Sequence, residues 1–396
     1  MQQHPQQCYV PPAPPYAGPP RSRAWIWVLA IGIPCLILLV CCGFGVFVWT
    51  RAVRTMTSYT GPPAMGAAGA APTRGLEQAW TLPAAEGGAA MDRATGTVYV
   101  LKSTGDCVRA GPDGHVQGTL RFGTGDDSLL SANLLPGEGT EFVAFSRWGG
   151  DVSAVTAAGA PLWTYPRGDG VDDVWVQDLD GDGLDEAIIG YNGSTGLHVV
   201  DTDGRRIWST TEVGNVWHVC AADMTGDGKP EVISTSSKGD VSVFDAASGR
   251  PLIGPSSGIY AYLVRPVLNA SRPGTDTRIV VGGTQHSMAA GTEAVVGIGA
   301  SGRTTWEVDL AGDGADDGAS CRSRPWVAVT TRGGSLYVID GSNGMVLASA
   351  GGLGRASAVT WFEWSGGTEP LLAVSTHGGL QVYRVQGAEP APASAK

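Results

Sequence analysis

The sequence predicts an all-β chain, a seven-bladed β-propeller preceded by a single transmembrane helix, and three observations carry that reading. Glycine supplies 59 of the 396 residues, about twice the usual share, while only 16 % are charged, a composition of short strands and tight turns rather than of long helices. A strand-and-turn unit recurs seven times in the body of the chain. Ahead of it runs one apolar segment free of charge.

The repeated unit is a glycine, three or four alternating apolar positions and a second glycine turn. Its copies are GTVYVLKSTG from Gly96, GDVSAVTAAG from Gly150, GLHVVDTDG from Gly196, GDVSVFDAASG from Gly239, AVVGIGASG from Ala294, GSLYVIDGSNG from Gly334 and GLQVYRV from Gly379. First and last starts lie 379 − 96 = 283 residues apart over six intervals, a mean near 47 that suits a four-stranded blade. The period-two alternation of Val241 and Val243, or Leu336 and Val338, is what a strand packed between neighbouring blades requires. Trp163, Trp208 and Trp306 follow three of the turns and mark the outer strand of a blade. The seventh copy ends without such a tryptophan, but LEQAWTL at 76–82 carries Trp80 upstream of the first. This segment is expected to close the ring by completing the last blade, leaving no ragged edge.

Residues 1–23 are Pro- and Gln-rich and read as a disordered tail. From Ala24 to Trp49 no residue is charged, and 26 residues at about 1.5 Å each exceed a ~30 Å hydrocarbon core. Trp25, Trp27 and Trp49 stand at the ends, where indoles favour the interface. The segment reads as an uncleaved signal anchor, since residues 51–59 offer no small-residue cleavage pattern. Residues 50–74 read as a flexible linker, 75–387 as the propeller and 388–396 as a second disordered tail. Arg21 and Arg23 balance Arg51 and Arg54, so flanking charge does not orient the anchor. A cytoplasmic N-terminus and an extracytoplasmic propeller are expected instead from the ion sites below, which suit millimolar calcium.

All 37 acidic residues lie beyond Arg74 against 26 − 5 = 21 basic ones, so the body carries 21 − 37 = −16. Such a body is repelled by phosphate backbones, which argues against nucleic acid as a partner, and attracts cations. One cation site is written into the third unit as Asp178, Leu179, Asp180, Gly181, Asp182, Gly183, Leu184, Asp185, Glu186. Carboxylates at positions 1, 3 and 5, the backbone carbonyl of Leu184 at position 7 and Glu186 at position 9 offer the hard oxygens that Ca2+ prefers. The next unit repeats the loop from Asp223 through Thr225, Asp227 and Lys229 to Glu231, with a hydroxyl at position 3 and one carboxylate fewer, hence weaker binding. Both loops begin 15 residues after a blade tryptophan, Trp163 and Trp208. Strand patterns on both flanks exclude a helix-loop-helix site.

Through DLDGDGLDEAII and DMTGDGKPEVIS the sequence resembles the FG-GAP or VCBS repeat family, strongly over about residues 171–250. The resemblance implies calcium held in the hairpin between the first two strands of a blade. The remaining units resemble the quinoprotein-like propellers. Residues 133–141 keep the nine-residue length and Glu141 but lack ligands at positions 3 and 5, a relic loop. DLAGDGADD at 309–317 starts three residues after Trp306 and has Ala311 at position 3, so it reads as an acidic inter-blade loop.

Cys107, Cys220 and Cys321 allow at most one disulfide in the propeller, and Cys220 sits in an apolar strand pattern. No spacing of Cys or His suggests zinc, and His198 and His218 lie in strand patterns as packing residues. No catalytic constellation stands out. The expected function is a membrane-anchored calcium-binding ectodomain that binds or scaffolds a protein or glycan partner, in adhesion or envelope assembly, and is not an enzyme. The alternative is a glycan-active lyase or hydrolase with carboxylates from different blades. A quinoprotein dehydrogenase is disfavoured, because the only Cys-Cys pair, Cys41 and Cys42, falls in the apolar segment.

Overall fold

The computed structural model describes residues 75–386, apart from 84, 103, 123–126, 138, 167, 256, 269–275 and 286–291. The tail 1–23, the apolar segment 24–49, the linker 50–74 and the tail 388–396 lie outside the described residues. Among the described residues there is no helix, and so none long and apolar enough to cross a membrane.

Twenty-eight strands form seven antiparallel four-stranded sheets. The chain opens with β1 (Leu76–Leu82). Blade one then holds β2 (Ala89–Met91), β3 (Val98–Leu101), β4 (Asp106–Ala110) and β5 (Val116–Arg121). Blade two holds β6 (Ser128–Ala132), β7 (Glu141–Ser146), β8 (Gly149–Thr156) and β9 (Pro161–Tyr165). Blade three holds β10 (Val171–Gln177), β11 (Glu186–Tyr191), β12 (Leu197–Val200) and β13 (Arg206–Thr210). Blade four holds β14 (Val216–Ala222), β15 (Glu231–Ser236), β16 (Val241–Asp245) and β17 (Pro251–Leu252). Blade five holds β18 (Ile259–Pro266), β19 (Thr277–Gln285), β20 (Glu293–Gly299) and β21 (Thr304–Asp309). Blade six holds β22 (Ala315–Ser320), β23 (Trp326–Thr331), β24 (Leu336–Asp340) and β25 (Val346–Ala350). Blade seven holds β26 (Ala358–Phe362), β27 (Leu371–Thr376) and β28 (Gly379–Val385), completed by β1.

Burial follows position in the blade. Second strands such as β11, β15 and β23 are buried on both faces because neighbouring blades cover both. Their runs of Ile, Val and Ala are accordingly unbroken by the alternation seen in a half-exposed strand. Outer strands β5 and β21 alternate exposed and half-buried residues. Inner strands pack against one another around the ring, β10 on β14, β14 on β18, β18 on β22, β22 on β26, β26 on β2, β2 on β6 and β6 on β10.

β1 closes the ring. It pairs antiparallel with β28 from Leu76↔Val385 to Leu82↔Leu380, with a bulge between Gln78 and Trp80. Trp80 stacks with Phe362 at 6.3 Å.

One of the seven sequence copies sits elsewhere in its blade than the other six. The copies from Gly150 onward span third strands, whereas GTVYVLKSTG spans β3, a second strand. The third strand of blade one is β4, whose Asp106 and Arg109 interrupt the apolar run that marks the others. The number of blades is unaffected.

Candidate metal centre

The two aspartate loops occupy the same place in consecutive blades, the hairpins β10–β11 and β14–β15. In both, backbone amides fold the loop onto its own carboxylates. Asp178 accepts from Gly181 N–H at 2.7 Å and Gly183 N–H at 3.0 Å, Asp180 from Asp182 N–H at 3.0 Å and Asp182 from Leu184 N–H at 2.8 Å. Gly181 and Gly183 have φ of +87° and +90°, a region that L side chains rarely enter, which is why glycine alternates with aspartate here. In the second loop Asp223 accepts from Gly226, Asp227 and Gly228, and Asp227 from Lys229.

The last residue of each loop, the first of its strand, points inward. Buried Glu186 accepts Leu179 N–H at 2.8 Å. Buried Glu231 accepts Met224 N–H at 2.7 Å and Thr225 N–H at 3.1 Å. Glu141 of the relic loop does the same for Leu134 and Leu135 at 2.9 and 3.2 Å, in a loop with no aspartate of its own. The glutamate at position 9 is therefore a cap for orphan loop amides before it is anything else.

The loops differ in what converges on that glutamate. Ligand atoms of Asp178, Asp180 and Glu186 lie within 4.8 Å of one another. Burial raises the Glu186 carboxyl to about 7, and the neighbouring charges of Asp180, Asp182 and Asp178 push the same way against the Leu179 amide. A cation would relieve that crowding, so the donor set fits a hard divalent ion such as Ca2+. Glu186 Oε2 serves the amide, and the Asp182 carboxylate, set apart from the group of three, serves Leu184. The buried Asp185, which offers no ligand, instead ties the loop to the relic hairpin, accepting Asn133 N–H at 2.9 Å while its own N–H meets the Asn133 carbonyl at 2.7 Å.

In the second loop Asp223, Asp227 and Glu231 form no such group among the described residues. Thr225 Oγ1 donates to Glu231 Oε1 at 3.2 Å, so both oxygens of that carboxylate already have partners. Arg278 Nη1 stands 3.9 Å from Asp223 Oδ2. Burial raises the Glu231 carboxyl as well, opposed by the amides it accepts. Lys229 and Leu184 contribute only backbone at position 7. Asp313, in the inter-blade segment between β21 and β22, accepts Thr331 Oγ1 at 2.5 Å and Gly333 N–H at 2.7 Å and faces neither loop.

A buried charge cluster, absent from the sequence-based expectations, lies beside the central cavity of about 150 Å3. Arg265, in the apolar run IYAYLVRP, pairs with Asp173 at 2.9 Å and Asp317 at 3.1 Å. Arg147 pairs with the same Asp317 at 2.8 Å, and His218 Nδ1 meets Asp173 at 3.2 Å. Burial works against the ionised Asp173, yet Arg265 and His218 hold its carboxyl well below the usual range. An arginine inside an apolar strand was the available signal, because a buried charge needs a partner. The cluster crosslinks five blades through four inner strands, β10, β14, β18 and β22, and the β7–β8 turn.

All three propeller cysteines are buried and free. Burial pushes the Cys107 thiol up to about 12, which leaves it protonated and unreactive. His198 packs between Tyr165 and Tyr191 and bonds the Tyr165 hydroxyl at 2.9 Å.

Residues 178–234 match the family model described as FG-GAP-like repeat. That span holds both aspartate loops. No curated protein matches the chain. Among solved structures the chain is similar to a crystal structure of BBS1N in complex with ARL6DN, soaked with lead, at TM-score 0.56 and 9 % identity, covering 81 % of this chain and 100 % of that one. The same complex soaked with mercury gives a TM-score of 0.54, again at 9 % identity and the same coverage. Identity this low speaks of fold alone. The repeat match and the seven-bladed ring together support an FG-GAP propeller family for this chain.

Proposed function

We propose that the chain is a calcium-binding propeller, anchored by residues 24–49 with the ring outside the cytoplasm, that serves as a rigid binding or scaffolding platform for a protein or glycan partner. The observation that carries the calcium reading is the convergence of Asp178, Asp180 and Glu186 within 4.8 Å on a loop already shaped by its own amides. The first loop is the primary site and the second, through Asp223, Thr225, Asp227, Lys229 and Glu231, a weaker one. A bound divalent ion supplies charge neutralisation where burial and three aspartates crowd Glu186. The chain's own residues supply the rest: Gly181 and Gly183 set the turn, the loop amides aim the aspartates, and Asn133 anchors the hairpin to the preceding blade. The sevenfold closed ring, with β1 paired to β28, gives such a platform stiffness.

Metal analysis of the purified full-length protein, with melting curves in calcium and in EDTA, tests the ion. Bound calcium and a higher melting temperature in calcium are expected; a metal-free protein with identical curves overturns the reading. Protease treatment of intact cells tests the anchor, and a propeller that stays uncut there overturns the orientation.

A further inference from the structure

The blades are latched to one another by a repeated device. In blades one, three, four and six, the turn between third and fourth strands holds a glycine against an indole ring from the preceding blade. A Cβ built on Gly114, Gly204, Gly249 or Gly344 would come within 2.6–2.8 Å of Trp80, Trp163, Trp208 or Trp306 respectively. Each ring also donates its Nε1–H to the same turn: Trp80 to Pro112 O at 2.9 Å, Trp163 to Thr202 O at 2.7 Å, Trp208 to Ala246 O at 2.6 Å and Trp306 to Gly341 O at 2.8 Å. At blade two the turn glycine Gly159 is covered by Phe122 and Leu120 at 3.3 and 3.4 Å. Blade seven has no such turn, because its outer strand is β1.

Blade five differs. Its turn glycine, Gly302, has φ +72° and the same backbone bonds as the turn of blade three, Gly299 N–H to Arg303 O and Gly302 N–H to Gly299 O, matching Asp201 to Arg205 and Gly204 to Asp201. Yet the nearest atom to a Cβ there is Pro255 Cα at 3.4 Å, and no ring covers it among the described residues. The cause lies in blade four. Trp163, Trp208 and Trp306 each stand four residues after the turn glycine of their own blade, and in blade four that place, four after Gly249, belongs to Ile253. Ile253 is 99 % exposed. The outer strand β17 is two residues long where the other six run from five to seven. A cleft of about 890 Å3 lies between these segments, lined by Arg250 to Pro255 and by Ala300 to Arg303, together with Met224, Thr225 and Val243. Neither Ser256 nor residues 269–275 carries an aromatic side chain.

We infer that the seam between blades four and five is a docking site for an extended acidic segment of a partner protein that seats a tryptophan over Gly302, its indole N–H on the Ala300 carbonyl. The latches of blades one and three, whose turns make the same backbone bonds, show that this turn accepts an indole. The charge of the partner follows from the lining, which holds Arg250 and Arg303 and no carboxylate on a body of net charge −16. Short outer pairing at β17 leaves room for the segment to run beside blade four in the manner of an added strand. The inference rests on the reading of the ring as a binding platform but needs no calcium.

The test uses full-length protein in EDTA and a labelled peptide of this protein's own latch strand, Thr304–Asp309 (TTWEVD), followed by fluorescence polarisation. Saturable binding is expected, weakened at least about tenfold when alanine replaces the peptide's tryptophan and falling with added salt. Ile253→Trp supplies the indole from within, and should raise the melting temperature and abolish peptide capture. Arg250→Glu with Arg303→Glu, both at exposed positions, should weaken capture without moving the melting curve, so the inference can still fail if Ile253→Trp does not fold. No saturable binding, or binding unchanged by Ile253→Trp or by the arginine pair, overturns it. A dimer that Ile253→Trp converts to monomer would also overturn it, by assigning the cleft to a second copy of the chain.

Discussion

The hairpins 178–186 and 223–231 share length, position in the blade, two positive-φ glycines and a buried terminal glutamate, yet only the first gathers three carboxylates. Glu186 has one oxygen engaged by a loop amide; Glu231 has both engaged, one by Thr225. The relic hairpin 133–141 extends the series, for its Glu141 keeps the cap in a loop that has no aspartate of its own. The fold thus requires the glutamate of these hairpins, and the aspartates at positions 1 and 3 decide whether an ion is also called for.

The largest effect should come from removing a group that does both jobs. Glu186→Ala strands the Leu179 amide at a buried site, at about 1–3 kcal/mol, and removes a ligand worth about 2.7 kcal/mol of stabilisation when calcium is held at ~100 times its dissociation constant. Glu141→Ala, which strands the amides of Leu134 and Leu135, should lose the same stability with and without calcium. Denaturant unfolding with and without calcium separates the two terms, and a Glu186→Ala loss no larger in calcium than in EDTA would erase the distinction.

Asp180→Asn comes next. The amide oxygen still accepts Asp182 N–H, so stability in EDTA should hold, while most of the calcium-dependent rise in melting temperature should vanish. Asp313→Asn is the matched control, and a calorimetric titration in which it abolished a site would overturn the assignment of 309–317 as an inter-blade segment.

Much of this was legible in the sequence because the signals are local. Gly-Asp alternation, the glutamate eight residues after the first aspartate and the tryptophan four residues past a turn glycine are all fixed by the geometry of one hairpin. The outer-strand role of Trp80 was readable for the same reason, as the seventh copy ended without its own. What escaped was set by distant neighbours. β4 hid because Asp106 and Arg109 break its apolar pattern, although its backbone pairs like any third strand. Arg265 reads as an isolated charge until Asp173 and Asp317 arrive from blades three and six. The second function of Glu186 and Glu231, as amide caps, could not be told from ligation, since both ask for a carboxylate at one position.

Thr225→Asp would convert the second loop toward the first. It restores a carboxylate at position 3 and frees Glu231 Oε1 from the threonine hydroxyl, so calcium affinity at this loop should rise by about tenfold, the order of 1.4 kcal/mol. Isothermal titration would show the second site tightening toward the first. An unchanged or weaker second site would place the difference between the loops elsewhere than position 3.

The smallest effect is expected at Arg278. Its guanidinium lies 3.9 Å from Asp223 Oδ2, with the two side chains 30 % and 23 % exposed, so it competes with any cation for that carboxylate only through a screened, partly solvated contact. Pairs of this kind contribute about 0–1 kcal/mol. Arg278→Gln should therefore strengthen calcium binding at the second loop by no more than about fivefold, and the gain should shrink as salt rises from 0.01 M to about 0.15 M, where the Debye length falls to about 8 Å. Arg278 Nε is buried and has no hydrogen-bond partner among the described residues. If Arg278→Gln instead weakened calcium binding at both salts, the arginine would be positioning Asp223 rather than competing for it, and the contrast between the loops would have to rest on Thr225 alone.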